Sequence, residues 1–282
     1  MPPCQFRLRP RRTAGMLLTS SRLPPDYRQR VLLGDLVGRA VQPPDWFIPC
    51  LETFHTTVID PDYPCYFGSA AAHHGELYYT ISDSRTQHLL ARTLQNFLAN
   101  ARLAPDERRN LTIFFPPDAL PLSHSEYKQR FWSVLQALHQ SDASPWPDSV
   151  STDPNQPNWE FCFAGEPIFA FCADPSYRSR TSRNLGPGMI ILMQPRRSFF
   201  GIEGHTRAGI QARNKTRERL EKWDHMPAHP DLGVYGESNN REWKQYVLPD
   251  DNSSVTGICP FVAQDASVGR ESTTNRDFEC NE

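Results

Sequence analysis

The sequence predicts an α+β fold, a single domain in which helices flank a central mixed β-sheet. Short runs rich in β-branched and aromatic residues alternate with longer segments whose apolar residues recur at helical spacing. The run at 189–193 contains only Met, Ile and Leu, which is typical of a strand buried on both faces. No linker or low-complexity tract divides the 282 residues, so we expect one large domain.

The first half of the chain has the pattern of strand, helix, strand and helix. These four segments lie at 76–81, 85–102, 111–115 and 123–140. Asp83 or Ser84 is expected to cap the first helix at its N-terminus. Ser123 or Ser125 is expected to cap the second, and Glu126 follows near its start. The preceding segment, 26–58, is interrupted by prolines and offers only a short helix near 26–40.

The second half favours a hairpin, a central strand and a charged helix. Two strands at 159–163 and 168–172 are separated by four residues that include Gly and Pro, which suits a hairpin. The apolar run at 189–193 follows, and then a charged segment at 206–224 with helical spacing. The sequence thus supplies five strands and three long helices for one mixed sheet.

Composition divides the chain into a domain and two ends. Residues 1–24 carry five arginines and are expected to form a flexible basic arm. Residues 25–250 are expected to form the α+β domain, and residues 251–282 a polar C-terminal tail. The net charge of −2 argues against a nucleic-acid binder, and no apolar run approaches the ~20 residues of a membrane helix. The seven cysteines show no CxxC pair, so we expect reduced thiols in a cytoplasmic protein.

Familiar catalytic motifs are missing from the sequence. It contains no GxGxxG, no GxxxxGK[ST], no GxSxG and no HExxH. The adjacent pair His73 and His74 has poor spacing for chelation, because helical histidine ligands favour i, i+4. Motif and composition alone therefore leave the function open.

Three segments in a shared order resemble the YqcI/YcgG family. They are DPDYPCYFG at 60–68, the stretch at 145–167 that ends in WEFCFAGEP, and the stretch at 229–261 that begins HPDLGVYG, with SRN at 182–184 between the last two. The resemblance covers residues 45–261 or so. It implies a heme-dependent monooxygenase that N-hydroxylates a guanidine, most closely L-arginine to Nω-hydroxy-L-arginine as in D-cycloserine antibiotic biosynthesis. It also implies dioxygen or peroxide as oxidant, an external electron donor and a homodimer as one option.

The cofactor implied by this resemblance is a non-covalent heme b. The sequence has neither the FxxGxxxCxG segment of cytochromes P450 nor the CxxCH of covalent attachment. Three residues remain open as the axial ligand of the iron, in this order: His229, Cys259 and Cys65. A histidine would give a globin-like site, whereas a thiolate would favour O–O cleavage. If they are not ligands, His229 is expected to form a hydrogen bond to a loop carbonyl, Cys259 to be a thiol in a mobile tail, and Cys65 to be a buried thiol.

Charged and aromatic residues supply candidates for the cofactor and the substrate. Those expected near the heme and its propionates are Arg178, Arg180, Arg183, Lys244 and Trp159. A guanidinium substrate needs a carboxylate that accepts two parallel hydrogen bonds, and Glu166 is the first choice for this role, with Glu160 the second.

Three other functions stay open at this stage. The chain could N-hydroxylate another guanidine or an amine, or bind or sense heme without turnover. A cofactor-free interaction protein is the third, in which the aromatic segments serve only as core. A visible absorption spectrum separates the heme proteins from the last alternative.

Overall fold

Within the residues that the structure describes, five strands form the main sheet and six α-helices pack around it. The structure is a computed structural model that describes residues 23, 26–120 and 122–263. The strands of the main sheet are β3 (Leu77–Ile81), β4 (Asn110–Phe114), β5 (Cys162–Phe163), β6 (Glu166–Ala173) and β7 (Ile190–Pro195), and a separate small hairpin consists of β1 (Leu32–Leu33) and β2 (Leu36–Val37). The helices are α1 (Phe47–Val58), α2 (Tyr66–His74), α3 (Leu90–Arg102), α4 (His124–Ser141), α5 (Arg207–Asp224) and α6 (Trp243–Tyr246). The predicted α+β class is confirmed.

The sheet is mixed, and β7 lies at its centre. The strand order is β3-β4-β7-β6-β5. β3 and β4 run parallel, and the other three pairs are antiparallel. The apolar run predicted at 189–193 therefore forms the central strand of the sheet, with β4 on one side and β6 on the other. This position agrees with its composition.

The sheet buries two different faces. Residues that alternate along β3, β4, β6 and β7 divide between two hydrophobic clusters. Tyr79, Phe114 and Ile190 face α1 and α2. Ile113 and Ile191 face α3 and α4 on the opposite side. We call these the α1/α2 face and the α3/α4 face.

Helix α4 begins with the predicted capping box. The Ser123 Oγ accepts a hydrogen bond from the Glu126 N–H, and the Glu126 carboxylate accepts one from the Ser123 N–H at 2.7 Å. Two backbone donors that the helix cannot satisfy internally are thereby bonded. Of the two predicted caps, Ser123 and Ser125, the structure shows that Ser123 caps the helix.

Removing the cap should weaken the protein measurably. Ser123→Ala is expected to lower the free energy of unfolding by about 1 kcal/mol, because the N-terminus of α4 loses its side-chain acceptor. Ser125→Ala is the matched control, since this exposed serine lies in the same turn outside the box; it should change stability by less than about 0.5 kcal/mol. Urea titration measures both, and equal effects would contradict the role of the box.

Several local predictions need correction. The turn between β5 and β6 has two residues, Ala164 and Gly165, both with positive φ, so the hairpin is tighter than the predicted four-residue link. Residues 26–40 form two short 3-10 helices and the β1–β2 hairpin instead of one helix. The expected caps Asp83 and Ser84 lie before a 3-10 turn, and α3 itself starts only at Leu90.

The domain continues past residue 250, where composition had placed its end. Val255 and Phe261 are buried at 5 % and 3 % exposure and join the cluster on the α3/α4 face. The Asp250 carboxylate accepts hydrogen bonds from three consecutive N–H groups, at residues 178–180. The predicted basic arm at 1–24 lies outside the described residues, apart from Leu23. In the part of the chain that is described, no helix has the length and apolarity of a membrane span.

Candidate active site

An apolar cavity lies between the α1/α2 face of the sheet and the elements that cover it. Its floor consists of side chains from β6 and β7, and α1 and the loop before α2 form its wall. The apolar lining residues are Phe54, Val58, Leu77, Phe169, Phe171, Leu185 and Leu192. The cavity is small, with a volume of about 70 Å³. Apolar walls with few polar groups are typical of cofactor and small-molecule pockets.

Cys65 places its sulfur at this cavity. It is the N-cap of α2, and its Sγ accepts a hydrogen bond from the Gly68 N–H at 3.2 Å. A Cβ at residue 68 would lie 3.1 Å from this sulfur, so glycine leaves the thiol its room. The residue as a whole is exposed, yet its side chain lines the cavity. A thiol at a helix N-terminus is a natural thiolate position.

The pKa of the Cys65 thiol reflects opposing influences. Burial raises it, whereas the N–H groups of Gly68 and Phe67 and the positive charge of Arg183 act to lower it. The thiol is therefore protonated at neutral pH in the protein alone. A coordinated metal ion would remove the proton, because metal binding deprotonates thiols.

Arg183 is the predicted basic residue that the structure brings to the cavity. Its guanidinium lies 4.3 Å from the centre of the Phe171 ring. It also donates hydrogen bonds to the backbone carbonyls of Tyr246 and Gln245. One buried cation is thus fixed behind an aromatic residue of the cavity floor.

Tyr63 and two amide side chains complete the lining. Asn110 lies at the start of β4 and Gln194 near the end of β7, both on the α1/α2 face. Sequence reasoning did not single them out, because one amide within an apolar strand pattern resembles an ordinary strand end. The alternation of β4 and β7 together with the strand order could have placed both on one face.

Glu166, the first choice for binding substrate, points away from the cavity. It is at the start of β6 and alternates with Phe169 and Phe171, so it belongs to the α3/α4 face. Its carboxylate lies 3.1 Å from the Arg102 Nε and 2.9 Å from the Arg197 Nη2. Burial raises the pKa of Glu166, and the two arginines oppose this effect. The carboxylate does hold guanidinium groups, but they are the protein's own.

Glu160, the second choice, belongs to a buried ionic network. It is fully buried and bonds to the Arg196 guanidinium through both carboxylate oxygens. Glu242 accepts from the same guanidinium at 2.7 Å and receives further bonds from Asn240 and Gln245. Burial raises the pKa of Glu160 to about 7. Both predicted carboxylates thus have protein arginines as partners.

The other two ligand candidates lie away from the cavity lining. The His229 imidazole has hydrogen bonds at both nitrogens, to the Ser253 carbonyl at 2.9 Å and from the Asp231 N–H at 3.1 Å. It therefore has no lone pair to offer a metal without giving up a bond. Cys259 packs against the cluster of the α3/α4 face, and burial raises the pKa of its thiol to about 12. No group of three or more His, Cys, Asp or Glu side chains within the described ranges is arranged to hold a metal ion.

The remaining basic and aromatic candidates also have partners of their own. Arg180 is buried and donates to the carbonyls of Pro249 and Asp251. Arg178 is exposed. Lys244 lies 5.9 Å from the Trp243 ring, and Trp159 is fully buried on the α3/α4 face. Of the predicted site residues, only Cys65 lines the cavity, and Arg183 lies behind its Phe171.

Comparison with known proteins decides the family. The sequence profile of the YqcI/YcgG family matches residues 54–262, about three quarters of the chain. The chain belongs to the YqcI/YcgG family. The matched range holds every residue of the cavity lining, from Phe54 to Gln194. The family resemblance inferred from the three sequence segments is confirmed.

Three curated members of the YqcI/YcgG family are similar to this chain. The uncharacterized protein YcgG of Bacillus subtilis (strain 168) is 35 % identical over 226 residues, 77 % of this chain and 88 % of YcgG. The uncharacterized protein YqcI of the same organism is 40 % identical over 152 residues, 53 % of this chain and 59 % of YqcI. DcsA of Streptomyces lavendulae, provisionally named an Nω-hydroxy-L-arginine synthase, is 31 % identical over 229 residues, 78 % of this chain and 86 % of DcsA. No solved structure matches the chain significantly.

Proposed function

We propose that this protein is a heme-dependent monooxygenase that N-hydroxylates a guanidine, converting L-arginine to Nω-hydroxy-L-arginine. The observation that carries the proposal is the similarity to DcsA, whose provisional name states the product of that reaction, over 78 % of the chain. The cavity supports it, because a thiol lies there among aromatic walls and a buried cation lies behind one of them.

The residues at the cavity fit a heme in their chemistry. A heme needs only one ligand from the protein, and Cys65 supplies a sulfur at a helix N-terminus. Phe169 and Phe171 offer flat apolar contacts, and Arg183 is placed to balance negative charge. A cavity of about 70 Å³ is much smaller than a heme, so the elements that form its walls would have to move apart for heme to bind. We therefore place Cys65 ahead of Cys259 and His229 as the proposed ligand.

In the proposed reaction, residues of the cavity would hold the cofactor, exclude water and contact the substrate. Bound heme would supply activated oxygen, taken from dioxygen with two external electrons and two protons, or from peroxide without them. Cys65 would hold the cofactor, and the N–H of Gly68 would stabilise its sulfur as thiolate. The apolar walls exclude water, which protects a reactive oxidant from side reactions. Leu185 and Leu192 would contact the substrate and help to orient it.

The absorption spectrum of the protein tests this proposal. We expect the full chain, expressed with a heme precursor, to show a strong Soret band and the red-shifted carbon monoxide band of a thiolate ligand when reduced. Incubation with L-arginine and peroxide should then yield hydroxyarginine by mass spectrometry. A colourless protein that heme does not reconstitute would overturn the proposal. A heme protein without product from any guanidine would leave the binding or sensing function instead.

A further inference from the structure

Four strands contribute one residue each to a row across the α1/α2 face at the cavity. Leu77 of β3 pairs with Asn110 of β4, and Phe169 of β6 pairs with Gln194 of β7. Asn110 and Gln194 each lie one residue beyond the antiparallel pair of Leu111 with Met193, so they are neighbours across β4 and β7. All four residues of the row line the cavity. The two amides are thus side by side, between two apolar neighbours.

Both amides have a buried polar atom that lacks a hydrogen-bond partner. The Asn110 Nδ2 donates to the Arg108 carbonyl, which directs the amide and leaves its Oδ1 without a partner. The Gln194 Nε2 is buried without an acceptor. Asn110 is only 4 % exposed, so water does not satisfy it. Buried polar groups in folded proteins are nearly always bonded, and an unmet pair beside a cavity points to a ligand.

We infer that Asn110 and Gln194 form an amide subsite for a planar, uncharged group that has an N–H donor beside an acceptor. This inference rests on the proposed function and specifies how the guanidine binds: as the neutral base. A neutral guanidine offers an N–H to the Asn110 Oδ1 and an imine lone pair to the Gln194 N–H. A guanidinium cation offers donors only and leaves the Gln194 donor unmet.

The charge of the lining supports the same form of the substrate. None of the lining residues is a carboxylate, and Glu160 and Glu166 are bonded to arginines elsewhere. A guanidinium buried there would be an unpaired charge, which is costly in an apolar site. Burial lowers the pKa of a bound guanidine by up to about 3–5 units, which reduces the cost of binding the base. N-hydroxylation also requires nitrogen electrons that a protonated guanidinium holds less freely, so the subsite selects the reactive form.

L-Citrulline is the probe for this subsite, because its urea has the same shape with N–H groups beside a carbonyl. We expect isothermal calorimetry on the full chain to show that L-citrulline binds and competes with L-arginine. Gln194→Met keeps the side-chain length and removes the donor, so it should weaken L-citrulline binding by about tenfold. Thr80→Val is the matched control: it removes a polar atom that also lacks a partner, on the opposite face of the same sheet, and should leave the affinity unchanged.

A second variant tests the subsite by reversing its preference. Asn110→Asp is nearly isosteric and introduces a carboxylate, so it should raise the affinity for L-arginine relative to L-citrulline by at least about tenfold. Circular dichroism confirms the fold of each variant. If Gln194→Met leaves L-citrulline binding unchanged and Asn110→Asp leaves the preference unchanged, the amides only bond to each other and the inference is wrong. Absence of binding by both amino acids to the wild type overturns it as well.

The outcomes separate this inference from the proposed function. A heme protein that turns over L-arginine, with citrulline binding indifferent to both variants, would refute the subsite alone. A protein that never binds heme but shows the expected changes in citrulline affinity would refute the hydroxylase and retain the subsite.

Discussion

Replacing Cys65 with serine is expected to abolish heme binding while the fold stays intact. Serine is a good N-cap, so its Oγ can keep the hydrogen bond to the Gly68 N–H that the sulfur accepts. A hydroxyl, however, is a poor replacement for a thiolate on iron. The loss of heme affinity should exceed the roughly 10–100-fold that results when a metal ligand loses only its hydrogen-bonding partner. Hydroxyarginine formation should fall to background with the Soret band.

Two matched variants show whether this effect belongs to Cys65. Cys259→Ser changes a thiol that packs on the α3/α4 face, and His229→Gln changes the imidazole bonded to Ser253 and Asp231. Both should keep the Soret band and the carbon monoxide spectrum of the wild type. If instead Cys65→Ser retains heme and one of these two variants loses it, the ligand is the residue that was changed in that variant.

Replacing Arg196 with methionine should destabilise the protein more than any surface change. Arg196 bonds to Glu160 and Glu242 together, and both acids are almost fully buried. Without the guanidinium, two like charges remain in a dry site. Removing one partner of a buried ion pair costs roughly 3–5 kcal/mol, and we expect a loss of that size at pH 8 by chemical denaturation.

The loss should depend on pH in a defined direction. The pKa of Glu160 is raised in the folded protein to about 7, chiefly by burial, above its value in the unfolded chain. Such a group stabilises the fold below its unfolded pKa, and this contribution is lost as pH rises through the folded pKa. Without Arg196, the neutral form of Glu160 should be favoured further. The loss of stability caused by Arg196→Met should therefore be smaller at pH 5 than at pH 8.

A rescue and a control complete this experiment. Without Arg196, the carboxylates of Glu160 and Glu242 repel each other. Adding Glu160→Gln to Arg196→Met removes one of these two negative charges and should restore part of the stability. Arg197→Met is the matched control, because Glu166 keeps Arg102 as a partner and the pair is less buried. Its cost should be about 1 kcal/mol. An equal loss for both arginine variants, without pH dependence, would contradict the argument.

The sequence predicted the elements whose signals are local. The cap of α4 needs only Ser123 and Glu126 three residues apart, and β7 needs only an uninterrupted apolar run. Helix α1 escaped prediction because prolines cluster around its start. Pro49 is the third residue of that helix, where the missing N–H has no partner in the helix anyway, so it does not break it.

The site was harder to predict, because pairing between distant residues decides it. The sequence indicated a carboxylate that binds a guanidinium, but Glu166 meets Arg102 and Arg197 across 64 and 31 positions of the chain. Nothing local reveals such partners. Cys65 was recognised within a proline–glycine turn, yet only the packing of α2 against the sheet shows that its sulfur reaches the cavity.

The order of strands in the sheet has a consequence for synthesis on the ribosome. β4 ends at residue 114 and its central partner β7 begins at residue 190, so 75 residues are added between them. At roughly 5–20 residues per second this takes roughly 4–15 s. Throughout that interval the nascent chain presents the unpaired apolar edge of β4, which is the kind of edge that recruits other strands. Chaperone binding to nascent chains should accordingly peak before β7 emerges and decline after it.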